Sequence, residues 1–376
     1  LIITELKRCI QNKNKAILAT IIDKKGSSYR QVGAKSLILE DGTTIGVLSG
    51  GCVEQDLFEH SKEVFETGEP KQIVYDLRND EQAPWGLGVG CNGEITIWLS
   101  LIDPINKKSE AEKVMDIFNR HYSSTEPFTI GTVINSNHHG DIPPGYILDV
   151  NDLDCFHPFR NETTQLNGIL ENQSVNVDGN AVSVTLFLET VTPAPSIILF
   201  GAGPDASSLT NQLKLLHWHV TVVDHRQGYL NKDKFSNVDE LKLVSPREFP
   251  AEMNINKNSY VIIMTHHYEQ DLVYLKGLVQ RDPAYIGLLG PKRRFQNLKK
   301  DLQAEGVYIP EYLEEKIHTP IGLDIGSETP EEIALSIAAE IMCHKSGASN
   351  QSLKWKRDSI HTTSFESPIC QLKVLV

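Results

Sequence analysis

Pro195-Ser196-Ile197-Ile198-Leu199-Phe200-Gly201-Ala202-Gly203-Pro204-Asp205-Ala206 decides the fold: an apolar run that ends abruptly in a glycine turn. Ile197 to Phe200 read as a buried parallel strand, and leucines at helical spacing between Ser207 and Leu216 predict a helix directly after the turn. Gly201-x-Gly203-x-x-Ala206 therefore stands where a strand hands over to a helix, the context a dinucleotide fingerprint requires. The first glycine permits the tight turn, the second lets a pyrophosphate near the backbone, and Ala206 lets helix and strand pack closely. A helix start also offers N–H groups and a positive dipole end to a phosphate. A second apolar strand, His219 to Val223, ends in Asp224-His225-Arg226. That spacing puts Asp224 where an acid would bond a ribose hydroxyl, with Arg226 beside it as a further ligand-facing side chain.

Working outward, 376 residues are long for one core and predict two domains or three. With 40% hydrophobic and 23% charged residues the composition is that of an ordinary globular protein. A formal charge of -13 argues against nucleic acid or an anionic membrane as partner. No apolar run approaches the roughly 18 residues of a membrane span. Six cysteines form no C-x-x-C pair and no dense framework, which fits free thiols in a reducing cytoplasm.

Upstream of the decisive stretch, Ala16 to Ile22 is a continuously apolar strand. The polar loop Gly26-Ser27-Ser28-Tyr29-Arg30-Gln31-Val32-Gly33-Ala34-Lys35 follows, and then a hairpin is predicted around Asp41-Gly42. That hairpin empties into Ser49-Gly50-Gly51-Cys52-Val53-Glu54, a second glycine turn, which enters a helix predicted over Val53 to Glu66. Two readings of Cys52 stand. At a helix N-terminus the dipole favours thiolate and makes it, with Glu54 beside it, a reactive or ligand-binding pair; equally it is a small buried residue at a tight turn. A third glycine-rich segment, Trp85 to Gly93, carries Cys91, and the two cysteine loops together suggest one site. Thr192-Pro193-Ala194-Pro195 reads as a stiff linker. The division expected is 1–192 as an α/β domain with a mixed sheet, 196–345 as a Rossmann-like parallel-sheet domain, and 346–376 as a loosely held tail.

Downstream, Ser259 to Thr265 is a third parallel-type strand that ends in His266-His267. Side chains at the carboxyl end of such a strand face the ligand crevice, so both histidines are site residues by position or else hydrogen-bonded structural groups. Pro291-Lys292-Arg293-Arg294 opens a helix after the fourth strand, where Lys292 and Arg293 are either a clamp for phosphate or a solvated helix start. Thr329-Pro330-Glu331-Glu332 predicts a capped helix whose inner face is Ile333, Ile337 and Ile341.

The blocks Gly26 to Lys35, Ser49 to Glu54 and Gly90-Cys91-Asn92-Gly93 occur together with Gly287 to Arg294, Pro320 to Gly326 and Thr329 to Ile333. In that combination the chain resembles the XdhC/CoxI family, over most of residues 16 to 345. The resemblance implies an accessory protein of xanthine dehydrogenase and related molybdenum hydroxylases. Such a protein binds the molybdenum cofactor, of molybdopterin type, while a cysteine desulfurase supports its sulfuration, and inserts it into the apo-hydroxylase. It implies a chaperone rather than a catalyst. The residues themselves give the candidate ligand site, Gly201, Gly203, Ala206, Asp224, Arg226, His266, His267, Cys52, Glu54, Cys91, Lys292 and Arg293, with no resident metal, and a homodimer in the cytoplasm is expected. The chain departs from the family's pattern at Pro204, which removes one N–H from the phosphate cradle. The alternative is an NAD(P)-dependent oxidoreductase, with His266 or His267 as proton donor and Asp224 on the ribose, or a nucleotide-binding redox regulator.

Overall fold

In a computed structural model the described residues are 2–26, 28–51, 53–77, 93–123, 127–137, 142–149, 167–177 and 180–356. Cys52 and Cys91 lie outside them. The main bodies of two compact units are Leu1–Ser123 with Pro127–Thr192, and Pro193–Trp355.

The first unit begins with α1 (Ile2–Asn12), followed by β1 (Ala16–Gly26), β2 (Lys35–Leu39), β3 (Thr44–Ile45), α2 (Glu54–Thr67), β4 (Lys71–Asp76), β5 (Gly93–Ile102) and α3 (Lys108–Ser123). Its strands form a sheet in the order β3-β2-β1-β5-β4. A second sheet, β7-β6-β9-β8, holds β6 (Phe128–Ser136), β7 (Ile147–Asp149), β8 (Asn167–Val177) and β9 (Asn180–Val191). Every ladder between these strands is antiparallel, which corrects the expected mixed sheet. The uninterrupted apolar run of β1 comes from cover on both faces, not from strand direction. Ala16 and Leu18 pack with Leu6 of α1 and Phe118 of α3, whereas Ile17, Ala19 and Ile21 pack with Leu57 and Val64 of α2. At the Asp41-Gly42 turn, the Leu39 N–H donates to Thr43 O and Gly42 takes φ +87, so the connection is Glu40-Asp41-Gly42 rather than the two-residue turn expected.

The second unit contains β10 (Ser196–Phe200), α4 (Ala206–Leu215), β11 (His219–Asp224), β12 (Glu240–Leu243), α5 (Phe249–Glu252), β13 (Ser259–Ile263), α6 (Tyr268–Leu278), β14 (Tyr285–Leu288), α7 (Lys292–Ala304), α8 (Glu311–Glu314), β15 (Ile317–His318) and α9 (Pro330–Ser346). All six strands are parallel, in the order β12-β11-β10-β13-β14-β15. The chain steps outward from β10 through β11 to β12, then returns to the other side of β10 as β13. Ligand crevices open at such a reversal, outside the carboxyl ends of the strands. Ile197 and Leu199 pack toward α4 and α9, while Ile198 and Phe200 pack toward α5, α6 and α7. Each such buried side chain contributes about 1.5–3 kcal/mol of hydrophobic stabilisation. On the second face Phe200 stacks on Tyr274 with ring centroids 4.2 Å apart, and Phe249 meets both edge-on.

α9 is specified as its sequence predicts. The Thr329 hydroxyl accepts from the Glu332 N–H, Glu332 accepts in return from the Thr329 N–H, and Pro330 occupies the first position. Ile337 and Ile341 are buried, with Ile333 packed alongside. α9 also anchors the segment after β15: Ser336 donates its hydroxyl to Leu323 O at 2.6 Å, and Glu340 accepts from the Gly322 N–H at 2.9 Å.

Candidate functional site

The crevice at the carboxyl edge of the parallel sheet is built from the turn after β10 upward. Gly201 has φ +109, and a Cβ there would stand 2.5 Å from the backbone oxygen of Met264, just past the end of β13. Only glycine permits that approach. Gly203 differs, because its φ is ordinary and a Cβ would sit 3.5 Å from the His266 ring, a normal contact. Ala206 is fully buried and Pro204 is exposed. The carbonyls of the turn also have a partner that sequence spacing does not reveal: the Lys234 ammonium donates to Ala202 O at 3.1 Å and to Gly203 O at 2.7 Å. Burial pulls the Lys234 pKa down, against the attraction of Asp205 and Asp224.

Asp224, the residue expected on a ribose, is 2% exposed and its acceptors are taken. One carboxylate oxygen accepts from the Arg226 N–H and Nε, each at 2.9 Å. The other accepts from the Ala202 N–H and from an Arg226 guanidinium nitrogen, each at 2.8 Å. Burial alone would raise this carboxyl, but the Arg226 side chain, with the Ala202 and Arg226 N–H groups, holds it at about 2. The Arg226 guanidinium lies 3.7 Å over the Tyr229 ring. His225 sits beside the pair, 3.4 Å from Asp224, and touches Gln270 of α6 at 3.3 Å.

His266 and His267 stand at the crevice, both exposed. His266 takes φ +57, an uncommon conformation for a residue with a Cβ, and its Nε2 is 3.3 Å from the Asp205 carboxylate at the start of α4. A tie behind the loop holds that backbone. The His267 N–H donates to the Thr265 hydroxyl at 3.0 Å, that hydroxyl donates to Asp271 at 2.5 Å, and Arg294 donates to Asp271 through two nitrogens at 2.9 and 2.6 Å. Asp271 is 1% exposed, so the ion pair is a fixed strut. Pro291 is the cap of α7 and not its first helical residue. Lys292 and Arg293 are exposed on the first turn, and Arg294 is the cation that turns inward. The helical phase holds that signal, since Arg294 is one turn before buried Leu298.

In the first unit Glu54 ties the glycine turn before α2. Its carboxylate accepts from the N–H groups of Leu48, Ser49 and Val53 at 3.0–3.2 Å and from the Ser49 hydroxyl at 2.6 Å. Burial would raise its pKa, and these donors, Ser49 foremost, bring it below the ordinary value. Lys35 of the polar loop is also committed, in a partly buried ion pair with Glu189 of β9. Among the described residues no group of three or more His, Cys, Asp and Glu side chains could hold a metal. No helix among them is long and apolar enough to cross a membrane.

Comparison with known proteins adds the family. Residues 197–341 match the XdhC Rossmann domain, and residues 9–76 match the XdhC and CoxI family. The chain is 31% identical over 346 residues to a probable xanthine dehydrogenase subunit of Bacillus subtilis (strain 168), covering 90% of this chain and 96% of that protein. It is 22% identical over 329 residues to the molybdenum cofactor insertion chaperone PaoD of Escherichia coli (strain K12), covering 87% and 82%. A crystal structure of a xanthine dehydrogenase from Bacillus halodurans superposes with a TM-score of 0.70 at 27% identity, over 93% of this chain and 97% of that one.

Proposed function

Because the chain belongs to the XdhC and CoxI family, we propose that it is an accessory protein that binds the molybdenum cofactor through its phosphorylated end and inserts it into an apo-hydroxylase of the xanthine dehydrogenase kind. The observation that carries this reading is the Lys234 ammonium and the His266 imidazole at the glycine turn, with the exposed His267 next to it in the chain, on a chain of net charge -13. Such a set suits a phosphate held by side chains where Pro204 has thinned the backbone cradle. The name of the Escherichia coli relative supports the same cargo. The reading includes a cysteine desulfurase as source of the terminal sulfur, a homodimer as the working unit, a cytoplasmic location, and Cys52 or Cys91 as the thiol that attends the metal end. It also keeps 1–192 and 196–345 as the two functional domains with 346–376 as a tail.

The role of the protein is to hold, orient and shield the cargo, and it needs no turnover of its own. His266 is placed to exchange Asp205 for a phosphate oxygen, and Lys234 keeps the turn in shape while adding positive charge. The test is retention: purified protein is incubated with released molybdopterin, NADH or NADPH, desalted, and assayed by pterin fluorescence and mass spectrometry. The expected result is retained pterin, at least tenfold less of it for the Lys234→Ala, His266→Ala double variant, and no retained nicotinamide. A retained nicotinamide that is turned over with small alcohols or acids, without pterin, would overturn the reading.

A further inference from the structure

The crevice has the frame of a dinucleotide site but not its open acceptor. In the usual arrangement a carboxylate at the end of the second strand of the βαβ unit receives both hydroxyls of a ribose. An ionised carboxylate has about four acceptor positions. At Asp224 all four are occupied from within the chain, three of them by Arg226 and one by the turn itself. The guanidinium is clamped a second time by Tyr229, whose ring lies 3.7 Å below it. The other half of the site is covered too. The side of Gly203 that glycine leaves open for a pyrophosphate faces the His266 ring, whose Nε2 lies 3.3 Å from the Asp205 carboxylate.

From this we infer that Arg226 is a specificity-determining latch, which keeps Asp224 from recognising a ribose diol and so turns nucleosides away from the crevice while leaving it open to phosphate monoesters. The inference rests on the crevice being the binding site proposed above, but not on which phosphorylated guest it takes. The two covers differ in strength. His266 is half exposed and held by one contact, so an incoming phosphate can swing it aside. The Arg226 fork makes two parallel bonds to a buried carboxylate, the geometry in which arginine binds most tightly, and no ligand hydroxyl can match it. Lysine could not close the same fork.

The latch is tested by titrating ADP-ribose, which carries an unmodified ribose diol, into the wild-type protein and into Arg226→Ala, Arg226→Lys and Tyr229→Ala, with binding read by calorimetry and folding by a cooperative thermal melt. Arg226→Ala is expected to bind ADP-ribose at least tenfold more tightly than wild type, with Arg226→Lys between them. Tyr229→Ala, which keeps the ion pair and loosens only the guanidinium, should gain a few-fold and guards against a folding defect in the arginine variants. Wild-type protein that binds ADP-ribose as tightly as Arg226→Ala, or folded variants that gain nothing, would overturn the latch. Pterin retention by the wild type is measured in parallel, and its loss would sink the cargo assignment while the latch is still judged on ADP-ribose.

Discussion

The two glycine turns, Ser49 to Glu54 in the first unit and Gly201 to Ala206 in the second, solve one problem by different means. Each is held by a buried or partly buried carboxylate that receives four donors. Glu54 takes only neutral donors, all within six residues of itself, so its turn is a local structure that α2 closes as it starts. Asp224 reaches back 22 residues to the Ala202 N–H and carries a cation with it. Its turn exists only when β10 and β11 lie side by side. The lesson is that similar glycine patterns can be local punctuation in one place and a product of sheet assembly in another.

The largest effect should come from Gly201→Ala. A methyl group aimed at the Met264 carbonyl, on backbone at φ +109, costs on the order of 4 kcal/mol, and denaturant unfolding of the second unit should show it. If instead this variant is as stable as wild type, the turn is not pinned by β13 and the contrast with the first unit collapses.

Asp224→Asn should cost about 3 kcal/mol at neutral pH, because it strands Arg226 against a neutral group. Part of that cost depends on pH in a fixed direction. The carboxyl is depressed from 3.8 to about 2, so its stabilisation, about 2 kcal/mol, is fully present above pH 4 and is lost as the pH falls toward 2. Wild type and variant should therefore converge in that window, and a gap that stays constant down to pH 2 would contradict the ion pair. Glu54→Gln should cost less, about 1–2 kcal/mol, because only neutral hydrogen bonds are disturbed. Hydrogen exchange should localise the change to residues 48, 49 and 53, whereas Asp224→Asn should loosen amides on two strands. The smallest effect is expected for Gly203→Ala, about 0.5 kcal/mol, since its added carbon meets the His266 ring at an ordinary distance. Its influence should fall on ligand retention, and a loss of stability equal to that of Gly201→Ala would erase the distinction between the two glycines.

Much of the second unit was legible from residues 195 to 226, because a parallel strand buried on both faces, a glycine turn and an amphipathic helix follow from local pattern alone. The capped start of α9 was equally plain, since Thr329, Pro330 and Glu332 satisfy one another within a single turn. The antiparallel sheets of the first unit were not, because burial on both faces writes the same apolar run for either strand direction. Lys234 was invisible for a related reason: nothing near it in sequence marks it, and it reaches the turn carbonyls across 31 residues of chain.

By itself, then, the amino-acid sequence determined the βαβ unit at the start of the second unit, the strands that became β13 and β14, the capped start of α9 and the family to which the chain belongs, while β12 and β15 went unread. Which side chains surround the glycine turn was decided by tertiary structure alone. Asp224 could be picked out as an acid at a strand end, but whether it faces a guest or its own chain depends on where Arg226 folds back. That is a matter of three-dimensional hydrogen-bond geometry, which no spacing along the chain records.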